Sequence, residues 1–509
     1  MQAVKPPGIS RHMHRIRSPL LKTVSRSRRF IRASLACVFA ALGGLAAAPS
    51  AAIDIALPEL GDTSSAYVSP QQERRIGQAW LRMFRSQVRT VSDPLLEDYL
   101  EQVVFDLAAH SQLSDAHLTV VVVDNPTINA FAVPGGVVGI HDGLMLYAKH
   151  EDELASVIGH ELAHLSQRHF ARSVEEAKRN AVPNMLALLS SLVIAATAGG
   201  NAGMAAITAS QAAIQQQQLR FSRSHEREAD RIGMLTLVDA GYDANGMPRM
   251  FSRMLESMRY NTRRPPEFLL SHPVTESRVA DAQNRARNYP DQGRQDSEDF
   301  GLMQARVQVG FDETPGYSIK RFRAEIEKDG GLAIGNVYGL VLALTRANEL
   351  ESARNELSPL LKNYPGNIAF ALAASDIDIA SGKADEAVSR LRKQLVLNPD
   401  NRPLSLSYAD ALLKTGDPKT AERVLVSQSK LHPDDPQVWY ALAETHGLAG
   451  NIIDVHRARA EYFILNGALD RAERQLGYAL DLADGNFHVT ASVQARIADI
   501  QEMRQEIDL

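Results

Sequence analysis

Cysteine occurs once in this 509-residue chain, at Cys37. With one thiol no disulfide can form within the chain, and cysteine nucleophiles and thiolate metal ligands are excluded everywhere after residue 37. A surplus of positive charge is missing too. Against 55 Lys and Arg stand 60 Asp and Glu, a net charge of -5, so nothing draws the chain as a whole to nucleic acid. Beyond the N-terminal segment there is no apolar run of membrane-crossing length: residues 185–198 amount to 14 positions, where a span needs ~20. What remains, 45% hydrophobic and 23% charged, is ordinary globular composition. Its length predicts roughly two to four domains.

The basic residues that do cluster lie at the start. Arg11, Arg15, Arg17, Lys22, Arg26, Arg28, Arg29 and Arg32 precede the apolar stretch 33–48, and Ser50, Ala51 and Ala52 follow it. Positive, then apolar, then small is the order of a secretory signal, with cleavage expected near residue 52. Ser27-Arg28-Arg29-Phe30-Ile31 approaches a twin-arginine signal but carries Phe one place early, so ordinary secretion is expected. Cys37 then leaves with the signal, and the exported chain has no thiol.

The densest chemistry is at His160-Glu161-Leu162-Ala163-His164. Residues four apart on a helix share a face, so His160 and His164 can offer nitrogens to one metal ion, while Glu161 can act on a water there. Leu154, Val157, Ile158, Leu162 and Leu165 recur at helical spacing around the motif and predict a buried helix. Two histidines and a carboxylate inside a core are costly without a partner, and metal ligation removes that cost. A gluzincin-type site takes a third protein ligand from a separate helix. Glu226 and Asp230 share a face in the segment 222–234, with His225 and Glu228 as competing ligand types that spacing does not separate.

Around these motifs, 71–88 and 93–110 have helical spacing, whereas 116–123 and 132–140 are valine-rich strands, the second bent at Pro134-Gly135-Gly136. An extended substrate is expected to add to an edge there, formed by Val133, Gly135, Gly136, Val137 and Val138. Residues 180–219 predict a helical hairpin near the site, with 180–214 a candidate lid, partner surface or peripheral membrane contact. In the last third Gly382, Gly416 and Gly450 fall 34 apart with Asn348 in phase, as do Pro365, Pro399 and Pro433, and Ala353, Ala387 and Ala421. That period is the tetratricopeptide signature, an α-solenoid that presents a surface to protein partners. The phase shifts at Gly467, only 17 beyond Gly450, and a further helical pair over about 454–482 is expected.

With His-Glu-x-x-His, the downstream Glu226-x-x-Ala229-Asp230 and Asn129-Ala-Phe-Ala-Val-Pro134-Gly-Gly136, residues 70–290 resemble the HtpX-like and CAAX-prenyl-protease-type zinc metallopeptidases. The resemblance implies one zinc ion per chain, Glu226 as its third ligand, and Asp230 orienting a ligand histidine. A signal, a catalytic domain without clear spans and C-terminal repeats look like the periplasmic β-barrel assembly-enhancing group of that family, whose pattern Ser271-His272-Pro273 and Arg278 also match. That likeness implies that His272 can bind the metal as a regulatory ligand and that Arg278 orients a carboxylate or the substrate.

The chain is thus expected to be α+β and mostly helical, with a signal at 1–52, a gluzincin-type metallopeptidase domain at 53–290, a linker at 291–330 and a tetratricopeptide solenoid at 331–509. The expected activity is hydrolysis of peptide bonds in unfolded or stalled outer-membrane proteins in the periplasm, catalysed by Glu161 with zinc. The repeats would meet the β-barrel assembly machinery. The alternative is chiefly a chaperone or adaptor delivering β-barrel precursors through those repeats.

Overall fold

A computed structural model describes residues 68–179, 223–260, 267–290, 293–331 and 333–507. The expected signal at 1–52 and the hairpin and contact surface at 180–219 lie outside the described residues.

The first helix, α1 (Pro70–Gln87), starts where Ser69 and Gln72 form a reciprocal capping box and Pro70 presets the first helical turn. Asp93 caps α2 (Pro94–Ala109) with its side chain alone, accepting from the Leu95 and Leu96 N–H groups. Three short strands follow: β1 (Thr119–Val123), β2 (Ala130–Val133) and β3 (Val137–His141). They form a mixed sheet in the order β1-β3-β2, with β1 parallel and β2 antiparallel to β3. Trp80 and Phe84 of α1 pack on one face with Val121, Val123, Val133 and Val137. The other face, with Val122, Val138 and Ile140, joins the main core.

Two expectations are corrected here. Residues 132–140 are not one bent strand, because Gly135 and Gly136 take φ of 87° and 86° and reverse the chain into a hairpin. Val137 and Val138 therefore sit on the central strand, paired on both sides, and offer no edge. The free edge on this side of the sheet is β2. His141 N–H donates to the Asn129 carbonyl, so the closely bonded pairs fall at residues 129, 131 and 133, and Ala130 and Ala132 turn their backbone groups outward.

After the short α3 (Leu144–Tyr147) comes α4 (Glu151–Ser166), buried from Glu151 through His164. Its first-turn acids Glu151, Asp152 and Glu153 suit the positive helix end, and Arg253 grips Glu153 at 3.0 and 3.1 Å. Then follow α5 (His169–Arg179), α6 (Arg223–Asp239), α7 (Gly246–Tyr260), α8 (Phe268–Ser271) and α9 (Glu276–Ala286). Helices α4 and α6 are in unusually close contact at Gly159 and Gly233. A Cβ on Gly233 would lie 2.9 Å from the His160 backbone nitrogen, so only glycine lets the two helices bring their polar residues together.

The stretch 291–330 is not a loose linker either. It carries α10 (Glu298–Phe311) and α11 (Pro315–Asp329), and Phe300, Leu302, Met303 and Val307 of α10 are core residues. The apolar spacing that builds α10 carries one continuous hydrophobic cluster from α2, α4 and α7 into the repeats that follow.

The repeats pair α12 (Ile334–Arg346) with α13 (Leu350–Asn363), α14 (Ile368–Ala380) with α15 (Ala384–Leu397), α16 (Arg402–Lys414) with α17 (Pro418–Leu431) and α18 (Pro436–Ala449) with α19 (Ile452–Leu465). They end in α20 (Leu469–Leu482) and α21 (Phe487–Ile507). Asn348, Gly382, Gly416 and Gly450 all take positive φ between paired helices, and Ala353, Ala387 and Ala421 are fully buried. The array bends back onto α1. Gly467, with φ of 68°, lies where a Cβ would stand 2.2 Å from the Arg82 carbonyl oxygen, and α1 packs against α19 and α21. Among the described residues no helix is long and apolar enough to cross a membrane.

Candidate metal centre

Four buried side chains, His160 and His164 from α4, Glu226 from α6 and His272 just after α8, bring one potential ligand atom each to within 4.8 Å of the others. His160 Nε2 lies 3.1 Å from His164 Nε2, and these nitrogens are 3.6 and 3.5 Å from the Glu226 oxygens. Donors held ~2.0–2.1 Å from one tetrahedral ion stand about 3.3 Å apart. The spacing and the nitrogen and oxygen donors fit a divalent metal of the zinc type.

The charges around the cluster say the same. Burial opposes protonation of His160, but the Asp230 and Glu226 carboxylates outweigh it and hold the imidazole up to about 9. Burial together with neighbouring His160 pushes His164 well below the usual histidine range. Burial also works against ionisation of Glu226, yet His272 and His160 keep it well below the usual carboxylate range. The anionic Glu226 is thus held between His160 and the Arg278 guanidinium. A bound metal supplies positive charge there and lets both histidines be neutral ligands.

Glu161 faces the same space. It lies 3.6 Å from His272 Nε2 and accepts a bond from the Ala132 backbone N–H on the free edge of β2. Burial pushes its carboxyl upward, and its Oε1 is buried without a hydrogen-bond partner among the described residues. His272 is held by Nδ1, 2.9 Å from Glu226 Oε1. Its segment is fastened to the sheet by the Phe268 N–H bond to the Ile128 carbonyl, 3.2 Å long.

Asp230 stands 3.1 Å from His160 Nδ1 and receives two bonds from Arg278, 2.8 and 2.6 Å long. Arg278 also reaches Glu226 at 2.9 Å and the Pro273 carbonyl at 2.9 Å, so one buried guanidinium ties α6 to the segment bearing His272. Of the competing ligand types, His225 stacks on His169 at 4.4 Å and Glu228 pairs with Arg172 and His169 at 2.9 and 3.3 Å. Neither joins the cluster. Sequence reading passed over His169, whose Nδ1 lies 2.9 Å from His164 Nδ1. On an unbroken helix a residue five positions on sits about 140° away. Arg168, at φ 49°, breaks the helix and turns His169 back, which spacing alone does not signal.

The model of peptidase family M48 matches residues 94–286, and a tetratricopeptide-repeat model matches 378–444. The β-barrel assembly-enhancing protease of Escherichia coli (strain K12) is 35% identical over 456 residues, covering 88% of this chain and 92% of its own. That of Yersinia pestis is 34% identical over 421 residues, 82% and 85% of the two chains. Over a shorter span of 157 residues, 29% of this chain and 28% of the other, the mitochondrial metalloendopeptidase OMA1 of Arabidopsis thaliana is 33% identical. A chain with a buried His-His-Glu cluster, an adjacent glutamate and a repeat array, similar to such relatives over most of its length, has one reading: it is a metalloprotease and belongs to the β-barrel assembly-enhancing protease family.

Proposed function

We propose that this chain is an exported zinc endopeptidase of the periplasm that cleaves unfolded or stalled outer-membrane proteins. His160, His164 and Glu226 hold the metal, and the convergence of their donor atoms beside Glu161 is the observation that carries the reading. When bound, zinc acidifies a water and polarises the scissile carbonyl. Glu161 accepts the proton from the attacking water and returns it to the leaving amine, a task suited to a carboxyl that burial has raised. Asp230, clamped by Arg278, fixes the ring of His160.

Substrate binds as an added strand on β2, where Ala130 and Ala132 turn their backbone groups outward next to Glu161. Backbone pairing reads no particular side chains, which suits unfolded clients of varied sequence. The repeats supply the contact to the β-barrel assembly machinery. Exposed Tyr440, Leu448, Tyr478, Leu482 and Phe487 at their C-terminal end are the apolar surface such a partner would cover.

The direct test is metal removal. The purified chain is expected to carry one zinc per molecule. Chelation abolishes cleavage of an unfolded outer-membrane protein, and added zinc restores it; cleavage that survives full chelation sinks the reading.

His272 acts in this reading as a latch that takes the position the substrate carbonyl and water need. His272→Ala is then expected to raise the rate of cleavage several-fold, measured on the same unfolded substrate. An unchanged or lower rate assigns His272 to the architecture instead.

A further inference from the structure

We propose that His169 is a positioning residue for the metal ligand His164 and that Glu228 fixes its tautomer, from the alignment of His164 Nδ1, both ring nitrogens of His169 and Glu228 Oε2. The inference rests on the metal-binding reading above.

His164 turns Nε2 toward His160 and Glu226, so that nitrogen must be free of its proton to ligate. The proton then sits on Nδ1, which needs an acceptor. The atom facing it at 2.9 Å is His169 Nδ1, which accepts only when His169 carries its own proton on Nε2. That Nε2 points at Glu228 Oε2, 3.3 Å away, and Arg172 holds the same oxygen at 2.9 Å. Each link holds one hydrogen: His164 donates to His169, and His169 donates to Glu228. No other assignment of protons leaves His164 Nε2 open for a metal while satisfying the pair of facing Nδ1 atoms.

The ring of His169 is fixed in its plane. It is buried, and it stacks on His225 at 14° while standing at 77° to His164. The two ligand histidines therefore have unlike supports. At its Nδ1 side His160 leans directly on the Asp230 carboxylate, whereas between His164 Nδ1 and Glu228 stands a second imidazole. Glu228 and His225, the residues that sequence left as rival ligands, become the outer supports of this arm.

The test measures zinc affinity of the full chain by competition with a chelator of known strength. His169→Ala is expected to bind zinc ~10–100-fold more weakly, with the metal-free chain unfolding at the wild-type midpoint. His169→Gln should restore most of the affinity, since its amide oxygen accepts from His164 and its NH2 donates to Glu228. Glu228→Ala, on a partly exposed side chain and so safe for folding, should weaken binding by about tenfold. Wild-type affinity in His169→Ala or in Glu228→Ala overturns the proposal, and so does a His169→Gln chain as weak as the alanine variant. A wild-type chain that takes up no zinc overturns the metal reading itself, and this proposal with it.

Discussion

Glu161→Gln should lose ~10²–10⁴-fold in kcat while holding its zinc and its KM. The amide keeps the shape of the carboxyl and can still accept from the Ala132 N–H, so the helix and the β2 edge stay where they are. What it cannot do is take a proton. Single-turnover cleavage of an unfolded outer-membrane protein, with metal content measured on the same sample, separates the two effects. Full activity would falsify the general-base assignment, and loss of zinc along with activity would make Glu161 part of the metal's support. The same variant weighs cleavage against delivery. If cells carrying it still assemble their outer membrane normally, the repeats contribute more than the protease.

Arg402→Ala should destabilise the chain by ~3 kcal/mol, because it strands the buried Asp435 and the half-buried Asp98, Glu97 and Glu101. Arg402 begins α16 in the repeats, is 5% exposed and reaches across to α2. Its guanidinium bonds Asp98, meets Asp435 at 3.1 Å and lies 3.7 and 3.6 Å from Glu97 and Glu101. Burial already raises Glu97 to about 8, and Asp98 and Glu101 are likewise raised by burial, with Arg402 pulling the other way in each case. Without the arginine those groups rise further. A carboxyl whose folded pKa lies above its unfolded value costs least at low pH and most above the folded value, so the deficit should shrink as pH is lowered from 8 toward 5. Thermal unfolding across that range checks both size and sign. A midpoint unchanged from wild type at pH 8 would show that the cluster holds nothing together.

The parts of this molecule that were readable in the sequence are those with short-range grammar. The metal motif, its buried helix and the 34-residue period all express local spacing, and Asn348, Gly382, Gly416 and Gly450 adopt the turns that their phase demanded. Spacing left the third ligand open among Glu226 and its neighbours, and only the family resemblance pointed to Glu226 with Asp230 beside it; the contact of Gly159 with Gly233 that unites the two helices leaves no periodic trace. Val137 and Val138 were read as part of an edge because a glycine pair can bend a strand or reverse it, and only the partner strand decides which. The region 291–330 was read as a linker because no motif marked it, although the apolar spacing of α10 was there to be counted. His169 was invisible because its approach depends on one left-handed residue, Arg168.

The contact of Gly467 with the Arg82 carbonyl sets the number of repeats. A solenoid ordinarily lengthens or shortens by whole units at little cost, since each unit meets only its neighbours. Here the far end of the array must land on α1, and a unit gained or lost would carry Gly467 off its seat by one full step of the superhelix. The number of units is thereby tied to the α1 surface on which the array ends.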